Sequence, residues 1–275
     1  TTISDGAFYG CSNFKYCPNL NNLEYSEPLS LGKINCINKD TFKGCEALKY
    51  VDLTNIITSI GESSFEGCKS LIALYNEVKN LKTINKRAFY DCANLTTINI
   101  QSLTDIGDEA FKNCTEYNIN SDGFPINVET IGKNCFENSG IKNLTIQKDS
   151  KLKNISEYAF AYCAKLKTVD LSNSSIEKFE KYSFSNNNLL YKIYLPSTLK
   201  WIRDGVFYKC KSLYNIIFPP KLEGIGNKCL DTGTSDTKIY IQESLKTPPQ
   251  FTIGNYIRSC YPFGKPNATS TPIIY

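Results

Sequence analysis

The sequence predicts an α/β solenoid: a coil of about ten repeats of ~23 residues, with a parallel sheet along one side and short helical or irregular segments along the other. Three observations predict it. An aromatic-led cluster recurs at intervals of 22 to 25 residues, an apolar-x-apolar pair follows each cluster, and an Ile-Gly element precedes the next one. The length of 275 residues would otherwise favour two globular domains. The repeat overrides that expectation because each unit buries its apolar face only against its neighbours.

The recurring cluster has the form Phe-x-x-Cys-x-x-Leu-x-x-apolar-x-apolar. Its lead positions are Phe42, Phe65, Phe89, Phe111, Phe136, Phe160, Phe184, Phe207 and Leu230. The apolar-x-apolar pair carries Val, Ile and Leu with a period of two, which is typical of a short strand that buries alternate side chains. We therefore expect short strands centred near Asp52, Asn99, Asp170, Tyr194, Ile217 and Tyr240.

The segment between clusters is expected to form the other side of the coil. Its Ile-Gly element and its small residue before the lead aromatic, as in Ile106-Gly107 and Ala110-Phe111, indicate a turn that enters one or two helical turns. The lead Phe side chains would then stack inside the coil. Tyr117 occupies a leucine slot, and the stretch 117–128 is rich in Asn, Ser, Asp, Gly and Pro, so it should bulge as a longer loop.

Segments such as 106–114 and 202–213 resemble the BspA-like subclass of leucine-rich repeats, whose units carry Ile-Gly-x-x-Ala-Phe-x-x-Cys-x-x-Leu. The resemblance covers about residues 36–245 and implies a leucine-rich-repeat horseshoe with a concave parallel sheet. Residues 1–35 would form a degenerate N-terminal repeat or cap, in which Phe14 and Cys17 keep the spacing and Phe8 and Cys11 indicate a truncated earlier copy. The Pro-rich residues 246–275 would form a C-terminal cap or linker.

Seven of the 12 cysteines fall into one slot of the repeat, counting Cys17 of the degenerate first unit. Six stand three residues after a lead Phe: Cys45, Cys68, Cys92, Cys114, Cys163 and Cys210. A repeated slot indicates packing, so we expect buried, unpaired thiols. A disulfide ladder or a metal site is disfavoured, because the sequence has neither a Cys-x-x-Cys pair nor a histidine. Cys11, Cys36 and Cys260 lie outside the slots, and a cap disulfide between Cys11 and Cys36 is a hypothesis.

Composition argues against catalysis, and no cofactor or metal is expected. Without histidine the sequence lacks the usual general base and the familiar serine and cysteine triads. The net charge of +4 predicts no nucleic-acid partner, and no apolar run approaches the ~20 residues of a membrane helix. Six Asn-x-Ser/Thr sequons, close to chance expectation, leave glycosylation open; they begin at Asn94, Asn113, Asn143, Asn154, Asn173 and Asn267.

Binding is the function class that remains. The resemblance implies a cell-surface or secreted protein that adheres to host cells or extracellular-matrix proteins, as in host-associated bacteria and in mucosal protozoan parasites such as Trichomonas and Entamoeba. Its partner would be a protein or a glycan on the concave face, and self-association is possible. A structural spacer or self-assembling array is one alternative. An intracellular interaction scaffold is another, because reduced thiols suit the cytosol.

The outward strand positions locate the candidate site. They are small or polar in the middle repeats, as at Thr97, Thr145 and Asp170, and become aromatic in the last three. The candidate ligand-binding residues are Tyr191, Lys192, Tyr194, Tyr214, Ile217, Lys238 and Tyr240. Tyrosine-rich surfaces with a few cations are typical of protein-binding sites. Tyrosines that merely pack against one another across strands are the alternative, and a patch at Tyr50, Ile72 and Tyr75 is the second candidate.

Overall fold

The computed structural model of the protein describes residues 3–12, 29–30, 34–53, 56–75, 79–119, 123–232, 238–241 and 260–262. The chain forms a parallel β-solenoid in which successive repeats contribute short strands to two separate series. The strands are β1 (Leu29–Ser30), β2 (Cys36–Ile37), β3 (Tyr50–Asp52), β4 (Ser59–Ile60), β5 (Ala73–Tyr75), β6 (Thr83–Ile84), β7 (Asp105–Ile106), β8 (Thr130–Ile131), β9 (Asn143–Thr145), β10 (Asn154–Ile155), β11 (Thr168–Asp170), β12 (Lys178–Phe179), β13 (Lys192–Tyr194), β14 (Trp201–Ile202), β15 (Asn215–Phe218), β16 (Gly224–Ile225), β17 (Lys238–Ile241) and β18 (Cys260–Pro262).

The first series is built from the predicted apolar-x-apolar pairs, but it is interrupted. β1, β3 and β5 form one sheet, and β9, β11, β13, β15, β17 and β18 form another. The strand predicted near Asn99 is absent from this described repeat, which makes only one bridge, between Ala73 and Thr97. In the stretch 117–128 that follows, the described residues 117–119 and 123–128 form no strand of two or more residues that could pair with that repeat. Pairing resumes with a bridge between Phe124 and Ile146.

The stretch 117–128 is only partly the loop that the sequence predicts, since residues 120–122 lie outside the described part. Its flanks turn inward: Tyr117, Phe124 and Val128 are buried. Tyr117 fills the leucine slot as predicted and stacks on Phe111 with ring centroids 4.5 Å apart. The apolar residues of this segment therefore continue the core without a regular strand.

The second series is continuous and was not predicted. The Ile-Gly elements, interpreted as turns from the sequence, form a nine-stranded parallel sheet in the order β2-β4-β6-β7-β8-β10-β12-β14-β16. The glycine permits the close approach of neighbouring repeats, because a Cβ added at Gly61 would lie 2.6 Å from the carbonyl carbon of Asn38. The nine strands delimit about eight complete turns of the solenoid, fewer than the ten repeats predicted from the sequence.

The expectation of short helical turns is wrong, because the described residues contain no α-helix. For the same reason, no helix among them could cross a membrane. Each lead aromatic lies in a turn strip, defined as the five residues centred on it. Around Phe42, the residues two before and two after have positive φ values of 53° and 74°. The N–H groups of residues 40, 42 and 44 donate to the carbonyls of Glu62, Ser64 and Glu66 in the next repeat. A helix would use these N–H groups internally.

The lead aromatics form one column inside the coil, as predicted. Neighbouring rings from Phe42 to Phe184 are nearly parallel, with centroids 5.1 to 5.4 Å apart. Phe8 extends this column, 5.2 Å from Phe42. The truncated copy predicted at Phe8 thus lies next to Phe42 in the column, whereas the unit predicted at Phe14 and Cys17 lies outside the described residues.

The six slot cysteines are buried and unpaired, as predicted. Each thiol also donates to the carbonyl of the lead Phe one repeat earlier, as from Cys68 Sγ to Phe42 O at 3.0 Å. Two described repeats lack the cysteine: in the one led by Phe184 the Asn187 amide donates to Phe160 O at 2.9 Å, and in the one led by Phe136 the hydroxyl of Ser139 bonds with Cys163 Sγ at 3.4 Å. Burial raises the pKa of the Cys45 thiol to about 11 and that of Cys210 to about 12. The slot thus requires a small donor, not only a small apolar group.

The hypothesis of a disulfide between Cys11 and Cys36 is wrong, since both cysteines are free. Cys36 lies in β2 of the nine-stranded sheet, and its thiol donates to Asn38 Oδ1 at 3.3 Å. Cys11 follows the first turn strip and lies beside Cys45. The two residues therefore belong to different parts of the repeat. Cys260 is placed in β18, but its side chain lies outside the described part.

Candidate binding surface

The candidate site lies on the solvent side of the first strand series, which we call the strand face. In β13 and β15 the alternation is as predicted: Ile193 and Ile216 are buried, whereas Lys192, Tyr194 and Ile217 are exposed. The parallel register pairs Asp170 with Tyr194 and Ile217 with Tyr240. The same register pairs Lys192 with Asn215 and Asn215 with Lys238. The strands thus bring the predicted residues into adjacent positions.

Exposed apolar surface is concentrated here. The structure has ten exposed large hydrophobic side chains among its described residues, and four of them are Tyr191, Tyr194, Tyr214 and Ile217, at 39–50% exposure. The described residues show no stacked or edge contact between the rings of Tyr191, Tyr194 and Tyr214. This arrangement disfavours the alternative in which the tyrosines only pack against one another.

The exposed side chains enclose a cavity of about 700 Å³, which we call the tyrosine cavity. Five of the seven predicted residues line it: Tyr191, Lys192, Tyr194, Tyr214 and Ile217. Lys238 and Tyr240 lie on the neighbouring strand β17 by register, but their side chains lie outside the described part of the structure. A volume of this size holds one or two large side chains or a short segment of a partner.

Lys192 is the cation of the tyrosine cavity. Its Nζ lies 4.7 Å from the centroid of the Tyr194 ring, a cation–π distance. A hydrogen bond with Tyr194 raises the pKa of Lys192, so the ammonium group stays charged at neutral pH. The cavity therefore combines apolar walls with one positive charge.

Sequence reasoning missed the residues at the rim of the tyrosine cavity. These are Ser172, Leu195, Ser197, Pro219 and Pro220, most of which follow the strands. The consecutive prolines after β15 were an available signal, because two rigid residues at a strand end fix the wall of a cavity. The outward alternation of the strands identified the floor but could not identify the loops around it.

The second candidate patch is weaker. Tyr50 and Ile72 are half-buried, and the side chain of Tyr75 lies outside the described part. The register places Tyr75 opposite Asp52. The two described residues of this patch are therefore less exposed than the tyrosines that line the tyrosine cavity.

Another cavity, of about 610 Å³, lies on the nine-stranded sheet beside β6, β7 and β8. Its carboxylates already have partners: Asp108 accepts from the backbone N–H of Lys133 at 2.7 Å, and Glu129 pairs with Lys153 at 3.0 Å. Over the described residues, no group of three or more Cys, Asp or Glu side chains could hold a metal ion. We therefore assign no site to this cavity.

Comparison with known proteins gives one family. The model of the BspA type leucine rich repeat region matches in six copies, over residues 1–115, 35–151 and 129–256. No curated protein matches the chain.

Among solved structures, a leucine rich cell surface protein from Faecalibacterium prausnitzii is 18% identical, with 85% of this chain and 84% of that one covered and a TM-score of 0.37. A leucine-rich repeat protein from Eubacterium ventriosum is 20% identical, with 74% and 69% covered and a TM-score of 0.47. The leucine-rich repeat protein of T. pallidum is 23% identical, with 66% and 72% covered and a TM-score of 0.46.

Proposed function

Because the chain belongs to the family of BspA-type leucine-rich repeat proteins, we propose that it is a non-enzymatic, cell-surface or secreted binding protein. Its ligand is a protein of the host-cell surface or the extracellular matrix. The tyrosine cavity is the contact site, and Lys238 and Tyr240 extend it onto β17.

One observation carries this proposal: four exposed apolar side chains from two neighbouring repeats line a single cavity. Exposing aromatic and aliphatic surface in one place opposes solubility, so it favours a site that a partner covers. Tyrosine is enriched in the buried centres of protein interfaces because it offers a large rigid surface and a hydroxyl group. A spacer with no ligand would have no need for such a cavity.

The thiols do not decide between the surface protein and an intracellular scaffold. The slot cysteines are buried, and burial withholds the thiolate from oxidants. They would therefore stay reduced inside the coil in either compartment. The proposal of a surface location is supported by the family instead.

The test replaces Tyr194, Ile217 and Tyr240 together with serine. A matched control replaces Tyr9, Tyr162 and Ile126, which are also exposed but do not line the tyrosine cavity. Adhesion of the purified chain to cultured epithelial cells and to immobilised laminin and collagen is measured after confirming an unchanged melting temperature. We expect the cavity variant to lose about tenfold or more in affinity and the control to lose none. Equal adhesion by both variants would contradict the proposal.

A further inference from the structure

A row of lysines leads across the strand face to the tyrosine cavity. The backbone N–H of Lys167 donates to the carbonyl of Lys142 at 2.8 Å, and that of Tyr191 donates to the carbonyl of Lys167 at 3.0 Å. Lys142, Lys167 and Tyr191 therefore occupy one position in three successive repeats, and all three are exposed. Lys192 follows Tyr191 directly. Lys142 and Lys167 directly precede β9 and β11, and Lys192 begins β13; these neighbouring strands are about 4.8 Å apart.

This row of lysines is not neutralised by the protein itself. Within the described residues, Lys142, Lys167 and Lys192 form no ion pair. Other described lysines are ion-paired, as Lys112 is with Glu137 and Lys133 is with Glu157. Asp170, on β11, accepts hydrogen bonds from the hydroxyl and the N–H of Ser172 and forms no ion pair with the lysines of this row. No carboxylate is among the residues that line the tyrosine cavity.

The lining of the cavity favours one class of ligand. Its walls include the apolar side chains of Leu195, Ile217, Pro219 and Pro220 beside three tyrosine rings, and its polar groups are hydroxyls and the ammonium group of Lys192. Apolar walls of this kind enclose an aliphatic or aromatic side chain. The lysines beside the cavity attract carboxylates. A ligand that fits both the tyrosine cavity and the row of lysines carries an apolar side chain next to carboxylates.

We propose that the tyrosine cavity and the lysine row recognise a polypeptide segment in which acidic residues adjoin a large apolar side chain. The apolar side chain enters the cavity, and the carboxylates lie over Lys142, Lys167 and Lys192. This inference rests on the proposed function and specifies the chemistry of its protein ligand.

The test is selection of a displayed library of random 12-residue peptides on the full chain. We expect enrichment of peptides in which Asp or Glu lies beside Leu, Ile, Phe or Trp. A synthetic peptide of the enriched sequence should bind. Its amide counterpart, with Gln and Asn in place of Glu and Asp, should bind with an affinity lower by about tenfold or more. Raising the salt concentration should lower the affinity for the acidic peptide and leave the affinity for its amide counterpart unchanged.

The matched variants are Lys142→Glu with Lys167→Glu, and Lys49→Glu as the control. Lys49 is an exposed lysine in the same slot of an N-terminal repeat, since Ile72 N–H donates to its carbonyl as Tyr191 N–H does to that of Lys167. The double variant should lose about tenfold in affinity for the acidic peptide, and the control should lose none.

Three outcomes would overturn the inference: enrichment of peptides without acidic residues, no enrichment at all, or binding of a heparin fragment by a chain that selects no acidic peptide. The last outcome would assign the surface to sulfated glycans. If the serine variant of the cavity loses adhesion while the double lysine variant keeps it, the proposed function stands and the acidic ligand does not.

Discussion

The turn strips of the two halves of the coil share one backbone but carry different surfaces. In the N-terminal half, Arg87 bridges Glu66 at 2.9 Å and Glu109 at 2.6 Å, and Lys112 pairs with Glu137 at 2.8 Å. In the C-terminal half, Tyr158 stacks on Tyr182 with ring centroids 5.1 Å apart, and Tyr182 meets the Tyr208 ring edge-on at 6.5 Å. We call these the charged half and the tyrosine half.

The difference teaches which interactions define a repeat. Arg87, Glu109, Tyr158 and Tyr182 all stand two residues before a lead Phe with φ of 55–56°. Each also donates its N–H to the following repeat. The ring column and the backbone bonds continue through both halves, so the outward side chains vary without changing the coil. Tyrosines replace other residues on the strand face in the same half, which is where the tyrosine cavity lies.

The largest expected effect tests whether the column is equally important in both halves. Phe89 and Phe160 are fully buried between rings 5.3–5.4 Å away on each side. Replacing either with alanine should lower the free energy of unfolding by ~3–5 kcal/mol, because each change opens a cavity in packed surroundings. Urea unfolding followed by circular dichroism measures the change. Phe8→Ala, at the half-buried end of the column, should cost less. A large difference between Phe89→Ala and Phe160→Ala would mean that the halves differ in their cores as well.

The donor slot gives the next effect. The Asn187 amide donates to the carbonyls of Phe160 and Phe184, while its Oδ1 is buried without a partner. Asn187→Ala should destabilise the protein by ~1–3 kcal/mol, because the buried carbonyl of Phe160 loses its side-chain donor, whereas Phe184 O keeps the one from Cys210. Asn187→Cys should recover most of that loss, since a thiol fills this slot in other repeats. Equal unfolding midpoints for the alanine and cysteine variants would show that the slot needs only a small side chain.

Gly205 tests the packing of the tyrosine half. It has φ of 65°, and a Cβ added there would clash with the Tyr182 ring. Gly205→Ala should cost about 1–2 kcal/mol from the left-handed backbone, plus the cost of moving the ring. In a Tyr182→Ala background the same substitution should cost less, and the double-mutant cycle of unfolding free energies measures the difference. An identical cost in both backgrounds would show that the ring does not constrain this position.

The smallest expected effect is a pH dependence of the free energy of unfolding that differs between the charged half and the tyrosine half. Burial alone would raise the pKa of Glu66, but the hydrogen bonds from Arg87 and Ser63 and the charge of Arg87 outweigh it and lower the pKa to about 2. The stabilisation is therefore complete above the ordinary glutamate pKa of about 4.3 and is lost as the pH falls toward 2.

Arg87→Ala should destabilise the protein by about 1 kcal/mol at pH 7, because both partners are partly exposed, and by less near pH 2. Tyr182→Ala, in the tyrosine half, should show no such dependence between pH 7 and pH 2. Thermal unfolding at both pH values provides the comparison. A constant difference between the wild-type protein and Arg87→Ala would show that the ion pair contributes nothing.

The sequence predicted the features that recur as side chains. The lead Phe residues, the slot cysteines and the alternation of residues 192–194 all appear as expected, because burial periodicity depends on residue type alone. It also predicted five residues that share the tyrosine cavity.

The sequence could not predict features that depend on the backbone of neighbouring repeats. A two-residue strand such as Ser59–Ile60 is too short to show a period. Left-handed conformations at Arg87, Glu109 and Tyr158 run against the usual preference for Gly or Asn, so no residue signalled the turn strip. The predictions of helical turns and of ten repeats were wrong for these reasons. The curvature of the predicted horseshoe stays a prediction.

All turn strips donate their hydrogen bonds in the same direction along the coil, so one repeat can take the place of another. Each strip from that of Phe42 to that of Phe184 donates three N–H groups forward. The strip behind it donates three in turn, two to carbonyls of the strip and one to the carbonyl of the residue just before it. A gene segment that is cut out or duplicated between equivalent positions of two repeats therefore restores a donor for every acceptor at the junction. Unequal crossover can lengthen or shorten such a coil without first changing any residue. The length of such a coil can then evolve separately from the chemistry of the tyrosine cavity.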